Sequence, residues 1–373
     1  MRLAWHNISH ERTRFFVTII GIACATLLMI VQANLLFGFL GASSRIIDAT
    51  DSDLWIAGRG APCFEFPVTL ERRFAEIAHS IGEVESTSRI LTRIVSFRKP
   101  DGSQQLVTLI GADRDVGSEF PIPTVSKDSG AIEPEALLID ESSSHLLNPS
   151  SQMPSPVEVN EFRAHVAGLT SGFSSFLGTP YVFTSYSDGA RYAAIRPTET
   201  MFILVRLRAG AQLQEIKQIL KARLPNTDIW TKAEFARQAK IYWTSQTGAG
   251  GAILVAALLG FFIGLAVVSQ AVYATTMEHI EEFATLKALG ASRLFILRVI
   301  VVQAMACGVV GYVVGVAVSG PALDYVRSVI PWLGAPSWLP AAILPLTLAI
   351  CILASILSVR AALSVEPAKV FRA

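Results

Sequence analysis

Four long apolar stretches dominate what this chain can fold into: Phe15–Gly41, Gly250–Ala274, Phe295–Ser319 and Leu339–Val359. A hydrocarbon core about 30 Å thick needs about 20 consecutive apolar helical residues, because a helix satisfies its own backbone where water is absent. The only charged residue inside the four stretches is Arg298, near the start of the third. The composition agrees, with 51% hydrophobic and 16% charged residues and a mean hydropathy of +0.47, outside the ordinary range of soluble domains. The expected fold class is therefore a membrane protein with one helix, a large inserted α+β domain, and three further helices.

Basic residues in short connections set the orientation. Arg2, Arg12 and Arg14 precede the first stretch, Lys287, Arg293 and Arg298 lie around the second connection, and Arg360, Lys369 and Arg372 follow the fourth. Both termini and the connection between the second and third spans are expected in the cytoplasm. Residues 42–247 and the Pro-rich connection "GPALDYVRSVIPWLGAPSWLP" are expected outside. Residues 1–14 then form a cytoplasmic interfacial segment, 15–41 the first span, and 248–373 a three-helix region. A cleaved leader has the same topology, but its apolar core runs to only about 7–15 residues, so a retained first helix is expected.

The segment 42–247 has the composition of a folded domain. "DLWIA", "TLERRFAEIAHSI", "RILTRIVSF" and "QQLVTLIGA" read as strand, helix, strand and strand, and "TMFILVRLR", "AQLQEIKQILKARL" and "TDIWT" repeat the theme near its end. Between them, about 113–197 is richer in Ser, Pro and Gly, with strand candidates in "EALLID", "PVEVNEFRAHVAGL" and "TPYVFTS", and reads as an inserted β-rich subdomain. "KAEFARQAKIYWTSQTGAGG" is expected to run as a helix into the second span, with Tyr242 and Trp243 at the outer membrane interface.

The second connection carries the sharpest local signal. In "TTMEHIEEFATLKALGASRLFILRV", Met277, Ile280, Ala284, Ala288 and Ala291 share one helical face, with Glu278, Glu282 and Thr285 roughly opposite. Phe283, Leu286 and Leu289 interrupt the polar side. A helix that is apolar on two flanks yet acidic suits a protein groove better than an anionic lipid surface. Gly290 is placed to stop it in a left-handed conformation, and Ser292 to cap the third span.

Several chemistries are missing from the sequence. No G-x-x-x-x-G-K-[ST] loop occurs, so the chain is not expected to hydrolyse ATP itself. His6 and His10 lack the second histidine of H-E-x-x-H, "GFSSFLG" is not G-x-S-x-G, and neither a metal nor a cofactor is expected. Net charge of +1 gives no nucleic-acid footprint. The spans carry amides (Gln32, Asn34, Gln270, Gln303) and no carboxylate, which disfavours ion coupling and points to hydrogen bonds between helices. Gly260 with Gly264, and Gly311 with Gly315, make G-x-x-x-G pairs for close helix packing, within or between protomers.

"MEHIEEFATLKALGAS" resembles the segment after the second span in the MacB/FtsX-like permeases of ABC transporters. "LAWHNISHERTRFFVTIIGIACATLLMIVQANLLFGF", with Gln32, resembles the start of the DevC-type branch, and "RAALSVEPAKVFRA", with Pro367 and Ala368, the family's C-terminal end. The resemblance implies a coupling helix, about 277–290, in which Glu278, Ile280, Glu281, Glu282, Phe283, Leu286, Lys287, Leu289 and Gly290 meet a separate ABC ATPase subunit. "HIEEF" stands where the family commonly has an Arg–Glu pairing. The resemblance further implies a periplasmic core domain, two permease copies with a homodimer expected, and an inner-membrane location. It also implies a membrane-fusion adaptor with an outer-membrane channel, and export by mechanotransmission. An FtsX-like transducer controlling a cell-wall hydrolase and a lipoprotein-releasing permease are the alternatives within it.

Overall fold

The computed structural model describes residues 12–113, 134–147, 155–278, 285–286 and 289–363. The expected residues 1–11, much of the inserted segment (114–133 and 148–154), and the C-terminal Pro367 and Ala368 lie outside the described residues. The chain divides into two compact units, one made of Met1–Gly38 with Ala252–Ala373 and the other of Phe39–Gly251.

Among the described residues, the first unit holds four helices long and apolar enough to span a bilayer: α1 (Arg12–Ala42), α8 (Gly248–Glu278), α9 (Arg293–Val329) and α10 (Leu339–Leu363). Ile22, Met29, Val268, Cys307, Ile343, Ile350 and Cys351 form their shared core. The third span runs ten residues past its expected end at Ser319, straight through Pro321. At 37 residues the helix is about 55 Å long, well beyond the hydrocarbon thickness. Its extension has a packing reason: Leu323 and Val326 join the core beside Ile330, Leu333 and Leu339. Arg327 Nε donates to the Leu333 carbonyl at 3.3 Å, fixing the turn that follows.

The second unit is a mixed α+β domain built on a nine-stranded sheet of order β11-β1-β10-β3-β4-β8-β5-β7-β6. The strands are β1 (Leu54–Gly58), β3 (Val84–Arg98), β4 (Gln104–Ala112), β5 (Ala136–Asp140), β6 (Ser155–Val159), β7 (Phe162–Thr170), β8 (Tyr181–Ser185), β10 (Phe202–Leu207) and β11 (Thr227–Thr231). A separate two-stranded sheet pairs β2 (Leu70–Glu71) with β9 (Glu199–Thr200). Two interleaved β-α-β units make one end of the large sheet: β1, α3 (Phe74–His79) and β3, then β10, α6 (Leu213–Arg223) and β11. Strand alternation explains the layering. Leu54, Ile56, Ile203 and Val205 face Phe74, Ala78, Ile216 and Leu220 of the two helices. On the opposite face, Trp55 meets Phe64, Phe202 and Phe235 with ring centroids 5.2–6.1 Å apart.

Among the described residues, the strands of the segment read as an insertion belong to the large sheet. They extend it through a parallel pairing of β4 with β8, and β6 returns to β3 through Phe97↔Val159 and Arg98↔Glu158. Strand β3, 15 residues long, thus serves the β-α-β layer with its first half and a closed ring of six strands with its second. The segment also contains α5 (Tyr186–Tyr192), capped by the Ser185 side chain accepting from the Asp188 N–H.

Asp140, at the end of β5, is buried and gathers the loop after β7. Its carboxylate accepts from the Phe173 N–H at 2.9 Å, from the Thr170 hydroxyl at 3.4 Å, and from both the N–H and hydroxyl of Ser142. Asp140→Ala strands the Phe173 N–H and is expected to lower stability by about 2 kcal/mol. The check is the unfolding midpoint of the full chain in detergent micelles.

Candidate functional site

The segment between α8 and α9 is closed by two local devices. Thr285 and Leu286 are helical; the Leu289 N–H donates to the Thr285 carbonyl at 3.0 Å, and the Ala291 N–H reaches back to the Leu286 carbonyl at 3.0 Å. Gly290, at φ +92°, makes that reversal possible. This is a Schellman ending, which a β-carbon at Gly290 disfavours. Two residues later Ser292 adopts the extended cap conformation, and its hydroxyl accepts from the Phe295 N–H at 3.2 Å, starting α9. Leu286 packs on Ile296 and Ile300 of α9, so the end of the segment is fixed to the third span. Leu289 stands 81% exposed beside the cap.

The structure therefore places Leu286, Leu289 and Gly290 together at the head of α9, and Glu278 as the last residue of α8. Ile280, Glu281, Glu282, Phe283 and Lys287 lie outside the described residues.

Both G-x-x-x-G pairs abut α1, from two different helices. A β-carbon on Gly260 of α8 would stand 2.6 Å from Gln32 Cγ, and one on Gly264 3.4 Å from Met29 Cγ. On α9, a β-carbon at Gly311 would lie 2.7 Å from Ile22 Cβ, and at Gly315 2.8 Å from the Ala23 carbonyl oxygen. Sequence reasoning missed Gly308, one turn before Gly311, where a β-carbon would stand 3.0 Å from Cys351 Sγ of α10. The glycine run 308-311-315 lets α9 approach α10 and α1 on successive faces. The two amides of the first span behave differently from expectation: Asn34 Nδ2 donates to Ile30 O of its own helix at 2.8 Å, while Gln32 Oε1 is buried and accepts nothing among the described residues.

Within the large domain, the expected continuous helix into the second span is interrupted. Helix α7 (Lys232–Ile241) passes into a π-turn, Tyr242–Gln246, and Thr247 is extended before α8 begins at Gly248. The cause lies in the run Thr-Ser-Gln-Thr. The hydroxyls of Thr244, Ser245 and Thr247 donate to the carbonyls of Lys240, Ile241 and Trp243, competing with the helical ladder. Thr247 Oγ1 then accepts from the Gly250 N–H at 3.3 Å. Trp243, expected at the outer interface, is buried within the domain, its Nε1–H donating to Glu65 Oε2 at 3.2 Å and its ring packed on Phe66 and Phe176.

Burial pushes the Glu65 carboxyl above its ordinary 4.5, against the opposing hydrogen bonds from Trp243 and Cys63. The neighbouring Cys63 thiol and Tyr181 phenol are pushed up by burial too, so they stay neutral. A carboxyl whose pKa is raised on folding lends stability that is fully present below the unfolded value of about 4.5 and is lost as pH rises through the folded pKa. The melting temperature is thus expected to fall with rising pH above that value more steeply in the wild type than in Glu65→Gln, measured by parallel thermal melts. Equal slopes would remove Glu65 from the pH response.

Among the described residues, no three His, Cys, Asp or Glu side chains gather as a metal site. The family description "MacB-like periplasmic core domain" matches residues 15–223, and "FtsX-like permease C-terminal" matches residues 252–367. Two sequences, each described as an uncharacterized ABC transporter permease of Mycobacterium tuberculosis, are 22% identical over 99% of this chain and 98% of their own length. Among solved structures, the periplasmic region of MacB from Actinobacillus actinomycetemcomitans aligns over 51% of this chain and 94% of its own, with TM-score 0.37 and 12% identity. The extracellular domain of the noncanonic ABC-type transporter YknZ from Gram-positive bacteria aligns over 48% of this chain and 98% of its own, with TM-score 0.33 and 12% identity.

Proposed function

Since the chain belongs to the MacB/FtsX-like family of ABC transporter permeases, we propose that it is the membrane subunit of an exporter driven by an ATPase on a separate chain. It is a multi-pass protein of the inner membrane, with its large domain in the periplasm and both termini in the cytoplasm. Permeases of this family work with ABC ATPase machinery and are transport subunits rather than catalysts.

The observation that carries the reading is the segment before α9: a short cytoplasmic element ended by Gly290, capped onto the third span by Ser292 and pinned there by Leu286. Force applied to such an element is delivered to α9 rather than dissipated in a loose loop. Gly311 and Gly315 seat α9 on α1, so the third and first spans move as one packed pair. In this reading ATP-driven closure of the partner pushes on residues 277–290. The push changes the periplasmic domain, which expels amphiphilic or envelope-derived cargo without passing it between the spans. Two copies of the chain, an adaptor and an outer-membrane channel complete the DevC-type assembly.

Affinity purification of the tagged full chain from membranes kept in nanodiscs tests this. A P-loop ATPase is expected in stoichiometric amount, together with a membrane-fusion adaptor. Recovery of the intact chain with no such ATPase overturns the proposal; an ATPase with a cell-wall hydrolase in place of the adaptor turns it to the transducer alternative.

A further inference from the structure

The loop between β1 and β2 directs its side chains in two ways. Cys63 and Phe64 are buried, Phe64 stacking on Phe202 at 5.5 Å, and Glu65 accepts from the Trp243 indole. Phe66 and Val68, by contrast, stand 48% and 40% exposed. Their display is rigid. The Gly60 N–H donates to Asp228 Oδ2 at 2.7 Å, the Ala61 N–H to the Gly58 carbonyl at 3.1 Å, and prolines at 62 and 67 restrict the backbone. The Phe66 ring rests against Tyr242 and Trp243, with centroids 6.0 and 5.9 Å away. Ile241, preceding Tyr242 in the chain, is 46% exposed.

We propose that Phe66, Val68 and Ile241 form an interfacial foot that inserts into the headgroup–acyl boundary of the periplasmic leaflet. Chain length restricts the occupant. Ile241 lies seven residues before Gly248, where the second span begins, so the patch is held within about 25 Å of the bilayer even if the chain between were fully extended. Five of the intervening residues are coiled in the π-turn, which shortens the reach further. Charge agrees: Glu65 is the only acid between Gly60 and Thr69, and its carboxyl is turned into the domain, while on α7 Arg237 and Lys240 precede Ile241 by four residues and by one. Aromatic and branched apolar side chains beside basic ones are what the interfacial zone accommodates. A second exposed apolar pair of this domain, Ile94 and Leu106, sits on the β3–β4 hairpin among Arg98, Gln104 and Glu158, with no such tether to a span. The inference rests on the membrane topology and not on the ATPase partnership.

The test places the photoreactive residue p-benzoylphenylalanine singly at positions 66, 241 and, as reference, 106 of the full chain in native membranes. After illumination the adducts are identified by mass spectrometry. Phospholipid adducts at 66 and 241 are expected at about tenfold the yield at 106. Yields equal to that at 106, or adducts at 66 and 241 to protein or to an amphiphile other than phospholipid, overturn the foot and make the patch a partner or cargo surface. Position 241, on a helix end and away from the Glu65–Trp243 bond, carries the probe independently should position 66 disturb that contact.

Discussion

Gly311→Leu is expected to leave the four-helix bundle unassembled. A β-carbon at this position would stand 2.7 Å from both Cβ and Cγ2 of Ile22 and 3.2 Å from the Ile19 carbonyl oxygen. Cβ is fixed by the backbone of α1, and the carbonyl belongs to that backbone, so neither is able to rotate away. Within a bilayer there is no hydrophobic gain to offset a poor fit, because lipid tails are as apolar as the side chains they replace. Overpacking of this kind costs about 3 kcal/mol or more. Cys307 and Cys351 are buried in the bundle, where a thiol-reactive dye does not reach them while it is folded. Cys24 is exposed and is therefore replaced by Ser in every protein compared; in that background the variant is expected to label at temperatures where the chain carrying Gly311 stays silent. Gly320→Leu, on the same helix with nothing within 4 Å of its β-carbon, provides the control. Similar labelling for the two variants would show that α9 does not depend on seating against α1.

What was legible in the sequence and what was not divide along local against tertiary causes. The spans were legible because bilayer thickness alone sets their length, and the caps at Gly290 and Ser292 because capping is settled within a few residues. The end of the third span was not. Pro321 reads as a stop, yet it forfeits only one hydrogen bond in a helix, and the packing of Leu323 and Val326 against Leu333 carries the helix onward. That packing also engages the core shared by all four spans, which lies outside any local window of the sequence. The strands of the large domain were readable by alternation, whereas the parallel β4–β8 pairing and the return of β6 to β3 were not, since alternation fixes faces and says nothing of neighbours. Trp243 shows the same limit. An aromatic next to a span is expected at the interface, and only the position of Glu65, Phe66 and Phe176 reveals that this one is interior. Of the candidate site, the glycine contacts with α1 illustrate how a motif announces a close approach without naming the helix approached.

Stimulated ATPase activity is expected to vanish when Glu282→Lys is combined with Phe283→Ala, with membrane insertion unchanged. Glu282 and Phe283 are among the residues of 277–290 that the family resemblance directs at the ATPase, and charge reversal opposite a complementary groove replaces attraction by repulsion. Because neither residue is apolar core of a span, bundle stability measured by cysteine labelling should match the wild type. A second variant separates contact from transmission. Gly290→Val keeps every side chain that would meet the partner but forces a β-branched residue into φ +92°, at a cost of about 1–2 kcal/mol or more. The Ala291-to-Leu286 hydrogen bond is then lost, and the segment is no longer held in register with α9. The ATPase should still co-purify with Gly290→Val, yet its stimulation should drop about tenfold, since binding survives while the lever is unhooked. If both variants retain full stimulation, the segment is only a connection between two spans. If Gly290→Val alone retains it, the partner reads the segment as a docking surface and force reaches the membrane helices by another route.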